Sequence, residues 1–462
     1  MTLDATNIVL YYALVFLGQL LIVLVFTHMI YKKRTPAGIA AWLLFMVLVP
    51  YVAVLLYMVF GLRKRENRYK KKPMTLRKRV KRFREKNPIH DVLRSYGVAD
   101  ATENIRFELL DDSKRAYERF LSCARNAKKS IYVSVYIFKY DDVGEAILKE
   151  LTQKAKEGVE IKLLLDSLGS IELYFTQRRF KALKKAGARV EFFMPIFKMP
   201  FRNYVNLRNH RKIYIFDDET VIGGGMNVSN EYFGANASEK RFEDLMFLVE
   251  GGATELYFEI FASDWFYASE EKISFAPSSP AKRGDAYLQV VPSGPDMDKD
   301  VLYEALLCGI YGATKRVWIV TPYFIPDDSI TQALCIAKRK GLDVKLITPK
   351  ETKHATVNIA RGSYMRELEE EGVEVALYDG LTLHAKAILF DDTSAMLGSV
   401  NVDNRSLFLN YEVATFVYSS KTILEVESWM GGLLRNSSKG MPPISKPRAI
   451  LENLMRIAAP QL

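Results

Sequence analysis

The sequence predicts an α/β protein made of two repeated halves, with an active site between them and a transmembrane helical hairpin in front. Three observations predict it: two charge-free apolar runs stand first, an alternation of strand and helix occurs twice, and each occurrence closes on the same polar motif. At 462 residues the chain exceeds what one hydrophobic core serves, so several packed units are expected. With 49% hydrophobic and 26% charged residues it does not have the composition of a disordered chain. Cys123, Cys308 and Cys335 lie far apart, form neither a disulfide framework nor a CxxC pair, and fit a reducing compartment. The five histidines show no HExxH or paired-ligand spacing, so neither a metal nor a cofactor is implied.

Residues 8–31 and 37–60 contain no Lys, Arg, Asp or Glu, and each run exceeds the roughly 20 residues that cross a bilayer as a helix. Two runs in succession, the first without a basic leader, do not read as a cleavable signal peptide. Lys32-Lys33-Arg34-Thr35-Pro36 between them suffices only for a tight hairpin, and Pro50 is expected to kink the second helix. Residues 1–62 are therefore read as a transmembrane helical hairpin.

Between Gly61 and Lys86, fourteen basic residues stand against Glu66 and Glu85, a net +12 beside +11 for the whole chain. Residues 63–98 thus form a basic juxtamembrane linker suited to an anionic membrane surface. Nucleic acid is not expected as a partner, because the run abuts a membrane span rather than a folded reader. Basic flanks stay cytoplasmic, which puts the catalytic domain on the cytoplasmic side of a multi-pass membrane protein. The three basic residues of the hairpin loop leave a partly crossing hairpin as the alternative.

The first half, residues 99–278, reads as a strand at 130–138 (SIYVSVYIF), an amphipathic helix at 143–156 and a buried strand at 159–166. A helix near 173–186 and strands near 189–194, 212–216 and 221–223 follow. The second half, residues 279–462 with a C-terminal helical tail, repeats the order. Its strands fall near 317–324, 343–348, 373–378, 386–390 and 395–397, and its helices near 329–339 and 355–371. A repeat this long is a duplicated domain, and alternating elements imply helices covering a largely buried sheet.

Each half ends in H-x-K-x4-D-x6-G-[GS]-x-N. The first copy carries His210, Lys212, Asp217, Gly224, Gly225 and Asn227; the second carries His384, Lys386, Asp391, Gly398, Ser399 and Asn401. Along an extended strand a His and a Lys two apart share one face, and the small residues allow close backbone approach to a ligand. Two copies together give two histidines, two lysines and two asparagines about one centre. Lysines and asparagines suit the oxygens of a phosphodiester transition state, so Asn227 and Asn401 are candidate phosphate ligands. One histidine can attack phosphorus while the other protonates the leaving alcohol.

The doubled H-x-K-x4-D motif resembles the phospholipase D superfamily, and the chain as a whole resembles its bacterial cardiolipin synthases. Further matches are Ala41-Trp42-Leu43-Leu44 with Pro50, Leu165-Asp166-Ser167 with Ser170, Pro292-Ser293-Gly294-Pro295, Thr321-Pro322-Tyr323-Phe324 with Pro326, and Asn404-Arg405-Ser406 followed by Asn410 and Glu412. The resemblance implies a two-fold duplicated phospholipase D-like α/β sandwich attached to a bacterial cytoplasmic membrane. It implies a phosphatidyltransferase that joins two phosphatidylglycerols into cardiolipin, releases glycerol and passes through a covalent phosphohistidine. Hydrolysis of phospholipid, or less readily of nucleic acid, is the alternative. The catalytic set is then His210, Lys212, Asp217, His384, Lys386 and Asp391, with His210 attacking and His384 as acid and base. An acid from the opposite half orients each ring, Glu412 for His210 and Asp244 for His384, with Glu243 competing for the latter role. Asp217 and Asp391 brace the motif turns rather than touch substrate.

His28, His90 and His354 carry no motif and read as structural. Residues 192–204 (FFMPIFKMPFRNY) suit either a lipid-admitting lip or packing under a loop. Ile450, Leu451, Leu454 and Ile457 fall at helical spacing, expected to pack on the catalytic domain. Chelators are expected to leave turnover unchanged; strong inhibition by EDTA in the same assay would reveal a metal that the sequence does not announce.

Overall fold

The computed structural model describes residues 5–32, 34, 36–60, 71, 74, 86–196, 206–236, 238–280, 283–297 and 299–457. They fall into two units, Met1–Tyr69 with Met199–Asn206, and Lys70–Lys198 with Leu207–Leu462. In the first unit the leading apolar run is one helix, Ala5–Tyr31. The second run is broken at Val49 into helices Pro36–Leu48 and Pro50–Phe60. Proline lacks the N–H that would continue the ladder and its ring crowds the preceding turn. Bonds from Val49 N to Phe45 O and from Ala53 N to Val49 O close the ladder on either side of the break. Among the described residues one helix, Asn7–Tyr31, is long and apolar enough to cross a membrane, where the sequence predicts two. The three helices pack through Val25, Met29, Met46, Ala53, Val54 and Tyr57, and His28 Nδ1 lies 2.8 Å from the Tyr57 hydroxyl.

The second unit is the duplicated α/β domain. Its first half runs β1 (Thr102–Leu110), β2 (Ser130–Val135), β3 (Glu160–Asp166), β4 (Arg189–Phe193), β5 (Ile213–Phe216), β6 (Thr220–Gly224) and β7 (Met246–Gly251). Its second half runs β8 (Ala286–Ser293), β9 (Arg316–Val320), β10 (Phe324–Ile325), β11 (Asp343–Pro349), β12 (Glu374–Tyr378), β13 (Ala387–Phe390), β14 (Ser394–Gly398), β15 (Val402–Asp403), β16 (Glu412–Val417) and β17 (Ser437–Lys439). Outward from a central β1–β8 pair the strands follow β1-β7-β6-β5-β2-β3-β4 on one side and β8-β16-β14-β13-β9-β11-β12-β17 on the other. The two sides are equivalent strand for strand up to β17, so a pseudo-two-fold axis passes between β1 and β8. β10 and β15 pair separately, in parallel.

The outer strands are parallel: β2 to β3 to β4, and β9 to β11 to β12. β2, and β3 beyond Glu160, are buried on both faces, which is why that part of the sequence reads as largely apolar. Helix Asp142–Lys156 links β2 to β3 and packs on β3, and helix Asp328–Arg339 precedes β11 and packs on it. Each half has its own core, one around Phe120, Leu151, Leu163 and Tyr214 and the other around Leu302, Leu334, Leu346 and Leu368. The end of the expected linker belongs to the second core. Helix Pro88–Ser95, capped by Asn87, buries Ile89 and Leu93 there. Of the basic run, only Lys71 and Lys86 lie within the described residues, and positions 197–204 of the candidate lip lie outside them.

The C-terminal stripe departs from expectation. In helix Lys446–Met455 and just beyond it, Ile450, Leu451, Leu454 and Ile457 are exposed, and the buried residue is Glu452. Glu452 accepts from Arg366 at 3.2 Å and from Arg448 at 2.9 Å, over Gly362, where any Cβ would lie 2.4 Å from its carboxyl carbon. The helix therefore docks through an ion pair on a glycine seat, and its apolar face turns outward.

Asp217 and Asp391 sit in the turns of the β5–β6 and β13–β14 hairpins with φ of 55° and 51°, a conformation aspartate tolerates. Asp217 accepts the N–H groups of Lys128, Lys129 and Ser130 at 2.8, 2.7 and 2.9 Å. Asp391 accepts those of Thr314, Lys315 and Arg316 at 2.9, 2.8 and 2.9 Å. Each aspartate ties its motif hairpin to the start of the neighbouring antiparallel strand, β2 or β9. Asp391→Ala should lower stability by about 1–3 kcal/mol, read as a drop in thermal midpoint, with turnover per folded molecule retained. Loss of turnover at unchanged midpoint would return the aspartate to the chemistry.

Candidate active site

The two motif histidines stand just before β5 and β13 rather than within them, held by backbone bridges to the other half. His210 N donates to Tyr411 O at 2.9 Å and Tyr411 N to Arg208 O at 2.9 Å. Equivalently, His384 N donates to Glu243 O at 2.7 Å and Glu243 N to Thr382 O at 3.0 Å. The residue after each bridge is an acid, and its carboxylate meets the ring of the bridged histidine. Glu412 lies 2.9 and 3.1 Å from His210 Nδ1, and Asp244 lies 2.6 Å from His384 Nδ1. Glu243 meets His384 through its main chain, and burial raises its carboxyl to about 7. An ionised carboxylate only accepts, so a proton on Nδ1 satisfies the pairing of His210 with Glu412 and leaves Nε2 for chemistry, and Asp244 favours the same tautomer of His384, whose Nδ1 Lys386 Nζ also approaches.

Around the rings, Tyr136 meets His210 edge-on at 5.0 Å, Tyr232 meets His384 at 5.1 Å, and Phe242 stacks on His384 at 5.5 Å. Lys212 donates to the His210 carbonyl at 2.7 Å, and Lys386 Nζ lies 2.7 Å from His384 Nδ1 and 3.2 Å from its Nε2. Burial lowers Lys212 to about 7 and Lys386 to about 8, against the opposing charges of Glu412 and Asp244. Burial also lowers His210, with Glu412 opposing, and takes His384 to about 4, with Lys386 adding to the effect. Asn227 and Asn401 line the same cavity of about 550 Å³ as the histidines, Asn227 through a side chain whose Oδ1 accepts from Ile137 N at 3.0 Å. The structure thus brings together the histidines, their lysines, both asparagines and both orienting acids, and leaves Asp217 and Asp391 at the far ends of their strands.

The halves are not identical here. Ser399 donates to Glu412, whereas at the matching Gly225 a Cβ would lie 2.3 Å from Asp244 Oδ1. Arg211, between His210 and Lys212, has Ala385 as its counterpart. Its guanidinium donates to Asp264 at 2.7 Å, to Asp296 at 3.1 Å and to the carbonyls of Ser293 and Glu412 at 3.2 and 3.0 Å. Lys71 completes the cluster, 2.5 Å from Asp264 and 2.8 Å from Asp296, and is 3% exposed. None of these four residues stood out in the sequence. Asp166 is a further brace, accepting Asn209 N at 2.9 Å. At the rim, Glu231 accepts from Lys139 at 2.6 Å and from Lys353 across the halves, and His354 lines the cavity although its surroundings in the sequence carry no motif.

The sequence-family model described as "Cardiolipin synthase, PLD-like domain" matches residues 120–265 and 306–434. The chain belongs to the cardiolipin synthase family. Membership carries the class of activity, a phosphatidyltransferase of the phospholipase D superfamily. A second model, "Phospholipase_D-nuclease N-terminal", matches residues 20–61. Cardiolipin synthase 1 of Bacillus cereus is 32% identical over 466 aligned positions, covering 93% of this chain and 90% of that one. The major cardiolipin synthase of Bacillus subtilis is 34% identical, covering 84% and 86%. Among solved structures, a phosphatidylserine synthase from Haemophilus influenzae shares the fold, with a TM-score of 0.61 at 18% identity over 81% of this chain and 100% of that one.

The two buried lysines set a pH dependence. A lysine holds a phosphodiester only as an ammonium, so binding through these two would weaken as pH rises through their values. kcat/KM, which reports the free enzyme, should fall on the alkaline side with a midpoint between about 7 and about 8. An alkaline limb near that of an ordinary lysine would show that burial does not govern them.

Proposed function

We propose that the chain transfers the phosphatidyl group of one phosphatidylglycerol to the terminal hydroxyl of a second, forming cardiolipin and free glycerol. The observation that carries this reading is the pair of histidines on one cavity, each with Nδ1 held by a carboxylate of the opposite half. His210 Nε2 attacks phosphorus, a P–N bond forms, and the P–O bond to the headgroup breaks. His384 gives its Nε2 proton to the departing glycerol oxygen. The free His384 is neutral at pH 7; an anionic phosphodiester beside it supplies the charge that draws that proton on. The second phosphatidylglycerol then gives its hydroxyl proton to His384 Nε2 while its oxygen attacks phosphorus and the P–N bond breaks. Lys212, Lys386 and the amides of Asn227 and Asn401 steady the charge on the non-bridging oxygens. Attack by His210 rather than His384 follows the first-motif histidine of the superfamily that the chain resembles.

The crossing-length helix Asn7–Tyr31 and the family model over residues 20–61 support membrane association. Within that association, the excess of basic residues at 63–86 supports a catalytic domain on the cytoplasmic side.

The test is to incubate the detergent-purified protein with phosphatidylglycerol alone and identify the lipids by mass spectrometry. Cardiolipin with glycerol is expected, absent from a His210→Ala control, and His384→Asn should accumulate a phosphatidyl-enzyme. Phosphatidic acid alone would mean a hydrolase. Trapping by His210→Asn but not by His384→Asn would reverse the two roles.

A further inference from the structure

One wall of the cavity is unfinished as a piece of protein. Asn401 Oδ1, Ser406 Oγ and Asn410 Oδ1 are buried and have no hydrogen-bond partner among the described residues. The three residues are 6%, 1% and 9% exposed, and all of them line the cavity that holds His210 and His384. Their backbone is fixed. β15 pairs with β10, Asp403 accepts Ser406 N at 2.7 Å, and Asn410 N donates to Arg405 O at 2.8 Å. The groups are therefore held in place on a preformed wall. Buried polar atoms are almost always satisfied, and each exception calls for a cause; three within residues 401–410, on one cavity, share one cause.

The chemistry of the unpaired atoms selects the ligand. An amide oxygen requires a donor, which a phosphodiester does not possess. A hydroxyl both donates and accepts, so it satisfies an amide in either orientation as well as the Ser406 hydroxyl. A group with two adjacent hydroxyls would complete more than one of them at once. We propose that this wall is a subsite for the vicinal diol of a glycerol headgroup. The inference rests on the phosphatidylglycerol reading above and extends it, because entering and departing alcohols occupy the same place beside the acid–base histidine in the two directions of one step. The same wall then selects glycerol-bearing donors over others and orients the acceptor hydroxyl.

The experiment follows donor consumption by the full-length protein in mixed micelles. The two donors are phosphatidylglycerol and phosphatidylethanol, which has the same phosphate and a bare ethyl headgroup. The unaltered protein should favour phosphatidylglycerol, and Ser406→Ala and Asn410→Ala should each reduce that preference about tenfold, as for loss of a hydrogen bond to substrate. An unchanged preference in both variants overturns the subsite. On the unaltered protein, glycerol should accept the phosphatidyl group of phosphatidylethanol, giving phosphatidylglycerol, where 1-propanol at equal concentration gives far less of its phosphatidyl product. Equal yields from the two alcohols overturn the subsite even if neither variant folds. Phosphatidic acid as the sole product from phosphatidylglycerol would sink the transfer reading alone, since the donor preference still decides the subsite.

Discussion

Each motif histidine depends on a carboxylate that its own half does not own. The bridges from His210 to Tyr411 and from His384 to Glu243 exchange one acid in each direction across the pseudo-two-fold axis. An imidazole held this way has one tautomer and one orientation, so neither half can assemble a usable site by itself. The strand order follows from this demand. β16, which starts at Glu412, and β7, preceded by Asp244, lie next to the central β8 and β1. The acids thereby stand at the start of the two strands that flank the central pair, close to where the two halves meet.

The buried ion cluster locks one of these exchanges in place. Arg211 and Lys71 oppose Asp264 and Asp296, two positive charges against two negative. Such a group is tolerable in a dry interior only when balanced and fully bonded, and removing one member leaves a bare buried charge. Because Arg211 also donates to the Glu412 carbonyl, the balance of the cluster and the position of the acid behind His210 are one matter. A segment that looks like a uniformly basic tether in the sequence thus contributes a structural charge to the catalytic domain.

Much of this was legible in the sequence. The duplication, the motif residues and the outer parallel strands showed themselves because repeated spacing and largely apolar runs are local signals. The central strands β1, β7, β8 and β16 did not, since β1 is only partly buried and pairs with residues more than a hundred positions away. The choice between Glu243 and Asp244 was open because neighbouring side chains in an extended chain point to opposite faces. It turns on Glu243 lending its carbonyl to His384. Helical spacing marked the stripe from Ile450 to Ile457 as one face and could not say which face turns inward; the glycine seat at Gly362 and the pairing of Glu452 decide that. Within fourteen basic residues nothing singled out Lys71.

The mismatch between Ser399 and Gly225 has a consequence for how such a site can evolve. Two identical subunits would impose the same neighbour on both carboxylates, and any improvement for one histidine would be forced on the other. Joined in tandem, the copies are free to drift apart, so that one carboxylate acquires a hydroxyl donor while the other closes against bare backbone. The pocket thereby gains a front and a back. A substrate that is itself lopsided, with tails at one end and a headgroup at the other, has one way round that suits it.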